Sequence, residues 1–503
     1  MTAAKNNEPQ KTPGDLLKKS APVSAGAAWK IDPLAVSDTL LEKYSTTGPR
    51  YTSYPTAPVW RESYNVKAHV DILKQNSDEA SVNHPLALYA HLPFCEERCL
   101  FCGCNVVITK QKDQSIKYLD YLFREIELTA KHVNLKRPVV QLHWGGGTPT
   151  YLSPDQMIRL FQFQKEIFNF RADAEIALEV DPRVTTFEQV DVLSTLGFNR
   201  ISLGVQDFEE KVQASVHRIQ PVEMTETFVD YCRGKGFSGI NFDLIYGLPH
   251  QTVATFTKTL ETVIRLSPDR IALYNFAYVP WMSPHQKLLP EEAMPDGKTK
   301  FAIFKLALEM LSDAGYLYIG MDHFAKPQDE LSQALENGTL YRNFMGYTVK
   351  NKSSQEPDAD LIGNGVSAIS GLSQAFAQNV KKLSEYYDAL KDRKLPIHRG
   401  YQLSNDDQLR KQVILDILCQ GEVNFSSFES RFEIDFQQYF STALEPLQAM
   451  EKDGLLELTG QGFRLLPLGR VFSRNIAMPF DAYLQAQREA QNGENAARFS
   501  KTL

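Results

Sequence analysis

From about residue 86 the chain alternates short apolar runs with longer stretches in which apolar residues recur at spacings of three and four. The short runs predict buried strands, and the longer stretches predict amphipathic helices. This alternation is typical of parallel strands joined by crossover helices. The predicted strands span 86–92, 139–144, 176–180, 201–205, 240–245 and 271–276. Six such strands are enough to form an incomplete parallel β/α barrel.

Helices are predicted over 116–132, 154–168, 187–196, 222–234 and 253–266. After about residue 300 the strand pattern fades, and helices are expected to dominate from 301–314 onward. Residues 454–466 form a strand-turn-strand pattern of the kind found in winged-helix units. We therefore expect an α/β fold in three parts: a flexible N-terminal extension over 1–44, a barrel with an N-terminal wrapping segment over 45–300, and a mainly α-helical, winged-helix-like cover domain over 301–503.

The composition fits a soluble globular protein, with 43% hydrophobic and 23% charged residues among 503. The first 28 residues contain no aromatic residue and no apolar segment typical of a secretory signal, so we expect a flexible tail. No apolar run approaches the length of a membrane span. The net charge of -7 and the acidic winged-helix-like segment argue against nucleic acid as a partner.

Four of the six cysteines lie within ten residues, directly after the first predicted strand. Cys95, Cys99 and Cys102 have a CxxxCxxC spacing, which allows one short loop to hold three thiolates around a cubic iron–sulfur cluster and leaves one iron open. Cys104 follows too closely to reach around the cube. Ligands of parallel α/β sheets bind beyond the carboxyl ends of the strands, where this loop is predicted to lie.

Three other interpretations of the cysteines are weaker. A zinc site usually takes two separated pairs of ligands, and no second pair is present. A disulfide framework does not fit six cysteines in a long chain without a secretory signal. A simple electron carrier would supply four cysteines to each cluster rather than three.

Polar residues at the ends of other predicted strands form a second set of candidates. The Gly145-Gly-Gly-Thr148 segment would bring free backbone amides close to a ligand, although a tight turn explains it equally well. Glu179 and Asp243 place carboxylates within buried strands, where either a bound ligand or a structural hydrogen bond must compensate them. Gln206 fits the same lining. Arg218 could bind a carboxylate, although a solvated surface arginine is more common.

Tyr89 and His91 occupy alternate positions of the first predicted strand and therefore share a face just before the cysteine loop. His91 could donate a proton or orient a substrate. A buried core histidine with one satisfied nitrogen is an equally good interpretation.

Several longer motifs, taken together, carry a family resemblance from about Tyr44 to the C-terminus. The motifs are Arg50-Tyr-Thr-Ser-Tyr-Pro55, His91-Leu-Pro-Phe-Cys95, Cys102-Gly-Cys-Asn105, His143-Trp-Gly-Gly-Gly-Thr-Pro-Thr150, Gly204-Val-Gln-Asp-Phe208, Asp243-Leu-Ile-Tyr-Gly-Leu-Pro249, Gly320-Met-Asp-His-Phe-Ala325 and Gly365-Val-Ser-Ala-Ile-Ser370. With these motifs the chain resembles the radical S-adenosylmethionine enzymes and, among them, the oxygen-independent coproporphyrinogen III oxidases.

The resemblance implies a 4Fe-4S cluster on Cys95, Cys99 and Cys102, with S-adenosylmethionine bound to the open iron. An electron from the cluster would cleave this ligand to methionine and a 5'-deoxyadenosyl radical. The radical would remove a hydrogen atom from a propionate side chain, which would then lose carbon dioxide and an electron to become a vinyl group. Two such events would convert coproporphyrinogen III to protoporphyrinogen IX.

The family also implies two bound S-adenosylmethionine molecules. His91 would lie near the substrate or the cofactor sulfur. Met345 stands where the family is expected to have glutamine, which puts any role of that side chain in doubt. By motif, the first molecule would contact Tyr89, Phe101, Gly146, Glu179 and Ile369, and the second Gly147, Thr148, Gln206, Arg218, Asp243 and Ala277.

The expected partners are a tetrapyrrole substrate, an electron donor and an electron acceptor, and we expect a cytoplasmic monomer. Two alternatives share the barrel: a radical enzyme that opens haem by methyl transfer, and a haem chaperone. The chaperone should lack Cys104 and the segment from Arg50 to Pro55, and both are present here.

Overall fold

The computed structural model of the chain describes residues 31, 35–350 and 358–490. The predicted tail over residues 1–28 lies outside this part of the chain. Within it, residues 38–44 form a helix that buries Leu41 and Tyr44 in the core. The end of the predicted flexible extension is therefore helical and packed.

The described residues contain nineteen strands. They are β1 (Leu86–Leu92), β2 (Phe94–Cys95), β3 (Val107–Ile108), β4 (Pro138–Gly146), β5 (Asn169–Val180), β6 (Arg200–Gln206), β7 (Gly239–Tyr246), β8 (Arg270–Asn275), β9 (Leu317–Gly320), β10 (His323–Ala325), β11 (Leu340–Asn343), β12 (Gly346–Val349), β13 (Asp360–Asn364), β14 (Ile369–Gly371), β15 (Ala375–Asn379), β16 (Ile397–Gln402), β17 (Glu422–Asn424), β18 (Leu456–Thr459) and β19 (Gly462–Leu465).

The same residues contain eighteen α-helices. They are α1 (Asp38–Tyr44), α2 (Val66–Gln75), α3 (Asp113–Ala130), α4 (Pro154–Ile167), α5 (Phe187–Leu196), α6 (Glu210–Ser215), α7 (Val222–Gly234), α8 (Val253–Leu266), α9 (Gly297–Asp313), α10 (Glu330–Glu336), α11 (Leu383–Lys391), α12 (Asn405–Cys419), α13 (Phe425–Phe432), α14 (Phe436–Tyr439), α15 (Ser441–Lys452), α16 (Pro467–Val471), α17 (Ser473–Ala477) and α18 (Ala482–Ala490).

Local signals explain why several helices begin and end where the sequence predicts. The Thr186 hydroxyl accepts a hydrogen bond from the Gln189 amide, and the Gln189 side chain accepts one from the Thr186 amide, so α5 begins with a capping box. Gly197 ends α5 in the left-handed conformation, with φ of 92°. Ser153 and Thr252 begin α4 and α8 in the same way.

The predicted strands all form and lie side by side. They are the parallel strands β1, β4, β5, β6, β7 and β8, in that spatial order, at the centre of a twelve-stranded sheet. Helices α3, α4, α5, α7 and α8 lie between them along the chain. The predicted incomplete parallel β/α barrel is therefore present, and its carboxyl edge carries the cysteine loop.

The expectation that strands fade after residue 300 is wrong for residues 317–402. Strand β13 pairs in parallel with β1, and β14, β15 and β16 extend that edge antiparallel. Strands β10 and β9 extend the opposite edge beside β8. These strands contain only three to six residues each, so they show too few alternations to be detected as periodic runs.

Helices dominate from Asn405 onward, as predicted for the C-terminal region. The predicted strand-turn-strand forms β18 and β19, and β17 completes a three-stranded antiparallel sheet. Among the described residues, no helix combines the length and apolar character needed to cross a membrane.

Candidate active site

A cleft of about 990 Å³ opens at the carboxyl edge of the parallel strands. Its walls come from the loop after β1 and from the ends of β4 to β8. Twelve of the predicted site residues line it: Cys95, Cys99, Phe101, Cys102, Gly146, Gly147, Thr148, Glu179, Gln206, Arg218, Asp243 and Ala277. The fold thus gathers side chains and backbone from six strand ends into one site.

The cysteine loop is held in place by its backbone. The amide of Thr109 donates to the carbonyl of Cys95 at 2.9 Å, and the amide of Leu100 donates to Val216 at 3.0 Å. Cys95, Cys99 and Cys102 are partly buried, whereas Cys104 is exposed. The loop therefore presents three thiols to the cleft from a fixed frame.

The thiols lie in different local environments. Burial raises the pKa of Cys95 to about 11, even though its sulfur lies 3.5 Å from the Thr148 hydroxyl. The side chain of Cys104 hydrogen bonds to Cys102 and lowers the pKa of that thiol to about 7. Metal binding requires the thiolate form of cysteine. A positive centre must therefore offset the free-energy cost of deprotonating the buried Cys95 thiol.

Two guanidinium groups provide positive charge beside the thiol of Cys99. Arg183 Nη2 lies 3.6 Å and Arg218 Nη1 3.7 Å from the sulfur of Cys99. Asp181 accepts hydrogen bonds from both arginines, at 2.7 and 3.0 Å. The arginines are therefore fixed next to the position where a negatively charged cluster would lie.

The residues present fit a cluster bound through three thiolates. Within the described chain, no three histidine, cysteine, aspartate or glutamate side chains are arranged to hold a metal ion directly. Three thiols nevertheless face one cleft, next to two guanidinium groups. The buried Nε of Arg218 has no hydrogen-bond partner, which indicates a ligand in the cleft.

The glycine segment lies against the start of the cysteine loop. The amide of Gly147 donates to Leu92 and that of Thr148 to Phe94, both at 2.8 Å. A Cβ atom on Gly147 would lie 2.6 Å from the backbone carbon of Pro93. The close approach of two backbones therefore requires glycine here.

Glu179 lies at the end of β5 and faces the glycine segment. Its Oε2 accepts a hydrogen bond from the Gly146 amide at 3.0 Å, and its Oε1 lies 3.6 Å from His143 Nε2. Burial acts to raise the pKa of Glu179, but His143 and the Gly146 amide together hold it below its ordinary value. An ionised carboxylate in the cleft can bind an ammonium group or sugar hydroxyls.

Asp243 lies two strands further along the same wall. Its carboxylate accepts hydrogen bonds from Asn241 Nδ2 at 2.8 Å and Ser202 Oγ at 3.0 Å. Burial, and then the charge of Glu179, raise the pKa of Asp243 to about 6. This carboxyl is therefore only weakly compensated by protein groups.

Gln206 ends β6 with φ of 68°, next to an irregularity in the pairing with β7. Its Nε2 would lie 2.7 Å from a Cβ atom on Gly204. The missing side chain at Gly204 therefore gives room for Gln206, and Arg218 Nη2 donates to the Gly204 carbonyl at 2.6 Å.

Tyr89 and His91 lie behind the glycine segment rather than in the cleft wall. His91 is buried, and a Cβ atom on Gly146 would lie 2.4 Å from its ring. His91 Nε2 lies 2.9 Å from the carbonyl of Asn105, which requires a proton on Nε2. The Tyr89 hydroxyl then donates to Nδ1 at 3.0 Å. Burial lowers the pKa of His91, which favours the neutral form of the ring.

Two predicted residues lie further from the cleft. Ile369 belongs to β14 and packs with Trp60, Phe376 and Leu403. Met345 lies in the turn between β11 and β12, where its amide donates to Asn343 Oδ1 at 2.8 Å. Neither side chain is part of the cleft wall described above.

Sequence reasoning assigned no role to Asp181, Arg183 and His143. Asp181 and Arg183 follow Glu179 in the segment Glu179-Val-Asp-Pro-Arg183, so alternating charges at a strand end were an available signal. His143 shares the inward face of β4, and its ring stacks on Tyr89 with centroids 6.1 Å apart.

Comparison with known proteins identifies the family. A model described as the Radical SAM superfamily matches residues 89–263, and one described as the HemN C-terminal domain matches residues 403–472. The oxygen-independent coproporphyrinogen III oxidase of Synechocystis is 44% identical over 90% of this chain and 96% of its own length. The chain belongs to the oxygen-independent coproporphyrinogen III oxidases.

Other members of the family match over the same extent. The enzyme of Helicobacter pylori strain J99 is 43% identical over 92% of this chain and 98% of its own length. The structure of coproporphyrinogen III oxidase (HemN) from Escherichia coli is 40% identical, covers 90% of this chain and all of the other, and has a TM-score of 0.82.

Membership confirms the predicted fold class and identifies the chain as a radical S-adenosylmethionine enzyme. It also confirms a 4Fe-4S cluster and S-adenosylmethionine as cofactors over the zinc and disulfide interpretations. The residue roles and the number of S-adenosylmethionine molecules stay predictions.

Proposed function

We propose that this coproporphyrinogen III oxidase converts two propionate side chains of coproporphyrinogen III to vinyl groups without oxygen, giving protoporphyrinogen IX. Each conversion removes one hydrogen atom, one carbon dioxide molecule and one electron from the substrate. The electron requires an acceptor, and cluster reduction requires a donor. The convergence of Cys95, Cys99 and Cys102 on the cleft is the observation that supports this proposal most directly.

The cluster and S-adenosylmethionine supply the chemistry of hydrogen abstraction when they are bound. The protein supplies three thiolates from one loop and leaves one iron for the small ligand. Arg183 and Arg218 offset negative charge at Cys99, because each guanidinium lies within 4 Å of that sulfur.

The carboxylates at the strand ends would bind the polar groups of the cofactor. Glu179 is held in its ionised form beside the glycine amides, which suits an ammonium group or ribose hydroxyls. Asp243, Gln206 and Arg218 form a separate polar wall. Two groups of polar residues in a cleft of about 990 Å³ support the proposal of two S-adenosylmethionine molecules.

His91 has the geometry of an orienting residue. Both ring nitrogens are engaged, and the ring packs under Gly146. A neutral histidine that donates to Asn105 cannot also protonate a substrate without breaking that bond. We therefore assign His91 and Tyr89 to holding the glycine segment and the cysteine loop in register.

An anaerobic product assay tests this function. Reconstituted protein with coproporphyrinogen III, S-adenosylmethionine, a chemical reductant and an added electron acceptor should release a divinyl product and 5'-deoxyadenosine. The variant Cys99→Ala should form neither compound. Consumption of haem without turnover of coproporphyrinogen would instead support the haem-opening methyltransferase, and tight haem binding without any turnover would support the chaperone.

A further inference from the structure

A buried arginine under the β11–β12 hairpin is only partly paired among the described residues. Arg342 belongs to β11 and is only 7% exposed. Within the described part of the chain, its Nε and Nη1 atoms have no hydrogen-bond partner. Its guanidinium lies over the ring of Tyr347, 4.8 Å from the centroid. An aromatic face alone is weak compensation for a buried cation, so this site is incomplete.

Arg342 lines a small cavity that also contains a second cation. The cavity measures about 30 Å³ and lies between the hairpin, α12 and residues 51–54. Lys411 of α12 lines it too, with its ammonium 5.2 Å from the centroid of Phe376. Among the described residues, no carboxylate side chain lines this space, which two cations face.

The acids nearest to Lys411 are already paired with other cations. Asp358 lies 3.1 Å from the ammonium of Lys350, and Asp360 lies 2.7 Å from the guanidinium of Arg137. Their charges are therefore largely compensated outside the cavity. The remaining positive charge points to an anionic ligand.

The size of the cavity selects the kind of anion. A volume of 30 Å³ holds about two water molecules, which corresponds to the two oxygen atoms of one carboxylate group. The planar donor fork of a guanidinium matches a carboxylate and binds it through two hydrogen bonds.

Aromatic side chains connect Arg342 to the cleft. The ring of Tyr347 lies 5.3 Å from that of His323, which lies 6.0 Å from that of Tyr274. Tyr274 lines the cleft, and Arg50 lies over its ring at 5.8 Å. Three successive ring contacts therefore lead from Arg342 to the cleft.

We propose that this cavity is a carboxylate subsite, in which Arg342 and Lys411 bind an unreacted propionate of the tetrapyrrole substrate. The proposal rests on the proposed function, which supplies a substrate with several propionates. It gives the Arg50 to Pro55 motif a role, since residues 51–54 form one wall of the subsite. Arg342 binds substrate here and takes no part in the chemistry.

Equilibrium binding of coproporphyrin III, the stable oxidised form of the substrate, tests the subsite without turnover. Porphyrin fluorescence should show that Arg342→Gln weakens binding about tenfold to a hundredfold, the loss expected for charge-assisted hydrogen bonds. Arg342→Lys should recover part of the affinity because it keeps the charge. The matched control Arg464→Gln removes an exposed arginine on β19 and should bind like wild type. Equal affinity of wild type and Arg342→Gln would overturn the proposal.

A melting experiment distinguishes a carboxylate from a simple inorganic anion. Sodium propionate should raise the melting temperature of the wild-type protein, whereas propionamide and an equal concentration of sodium chloride should not. Arg342→Gln should show no response to propionate. An equal rise with chloride would mean that the cavity holds a small inorganic anion, and the proposal would fail.

The variant Arg342→Met separates a binding role from a structural one. Removing an unpaired buried charge should leave the melting temperature of the ligand-free protein unchanged or raise it, while porphyrin binding weakens. A large drop in melting temperature with unchanged binding would show a structural role instead. A different outcome would contradict the proposed function and leave the subsite intact: wild-type protein would bind the porphyrin through Arg342 but yield no vinyl product.

Discussion

The clustered cysteines differ in how the fold presents them. Cys95, Cys99 and Cys102 line the cleft and are partly buried, whereas Cys104 is exposed although it also reaches the cleft. Cys99 alone has two guanidinium groups within 4 Å. The assignment of three ligands, with the fourth thiol as their neighbour, stays a prediction.

Replacing each cysteine by alanine should distinguish the cysteines that bind the cluster from Cys104, which is predicted not to bind it. After anaerobic reconstitution, Cys95→Ala, Cys99→Ala and Cys102→Ala should lose most of the iron and the visible absorbance of the cluster, because each removes one of three protein ligands. Cys104→Ala should retain both. Iron analysis and absorbance spectra check this, and loss of the cluster in Cys104→Ala would identify it as a ligand.

Asp243 gives a prediction of pH dependence. Its pKa is raised to about 6, mainly by burial, so its stabilising contribution is full below its ordinary pKa of 3.8 and is lost as the pH rises through about 6. Asp243→Asn should therefore raise the melting temperature of the cofactor-free protein, and the rise should be larger at pH 7.5 than at pH 5. Calorimetry at both values measures it.

The matched control for this variant is Asp191→Asn, which changes an exposed carboxylate whose pKa is lowered by its partner Lys235. That variant should not gain stability at pH 7.5. A rise for Asp243→Asn that is independent of pH would show that the carboxyl is not the source of the effect.

Helices α3 and α11 meet around a buried carboxylate. Glu125 of α3 accepts hydrogen bonds from the Gly365 amide at 2.7 Å, Asn379 Nδ2 at 2.6 Å and the Tyr386 hydroxyl at 2.5 Å. Tyr118, about two turns earlier on α3, donates to the carbonyl of His91 at 2.7 Å. These bonds fix the loop after β13 and the backbone of β1 to the same helix.

Two adjacent tyrosines of α11 test this network. Tyr386→Phe should lower the free energy of unfolding by about 1–3 kcal/mol, because it leaves a buried carboxylate with one donor fewer. Tyr387→Phe is the matched control, since the Tyr387 ring packs against that of Tyr121 at a tilt of 36° and phenylalanine keeps that contact. Urea unfolding of both variants measures the difference. Equal midpoints would mean that the bond from Tyr386 to Glu125 contributes little.

Distant parts of the chain hold each other in place. The guanidinium of Arg474, in α17, donates to the carbonyls of Gly48 at 2.6 Å and Pro49 at 3.1 Å. Asn475 Nδ2 donates to the carbonyl of Tyr44 at 2.8 Å. The segment that leads into the Arg50 to Pro55 motif is therefore attached to the C-terminal helices rather than to the barrel alone.

Arg474→Met should loosen this attachment, because methionine fills space but cannot donate to the carbonyls. Amides of residues 44–54 should exchange with deuterium about tenfold faster or more, the effect of losing hydrogen bonds from a charged group. Exchange in the core strands β4 and β5 should not change. The control Arg464→Met should exchange like wild type, and unchanged protection of residues 44–54 in Arg474→Met would contradict the prediction.

The local pattern of the chain was sufficient for the six central strands and for the cysteine loop. Each strand is a contiguous apolar run, and the helices between them carry their own capping signals at Ser153, Thr186 and Thr252. The CxxxCxxC spacing likewise lies within one loop. Such features depend on residues close together in sequence, so a pattern of spacing is enough to detect them.

Pairing between distant segments was decided by the tertiary structure. Strand β13 joins β1 although hundreds of residues separate them, and neither strand carries a local signal for its partner. His91 became a buried residue with both ring nitrogens in hydrogen-bond contact because Gly146, Asn105 and Tyr89 lie against it. Arg342 became a buried cation, with Nε and Nη1 lacking a partner among the described residues, because α12 and residues 51–54 pack around its hairpin. The burial of a side chain and its contacts are determined only when distant segments pack together. Because burial and contacts set the ionisation and hydrogen bonding of a side chain, its chemistry depends on the tertiary structure.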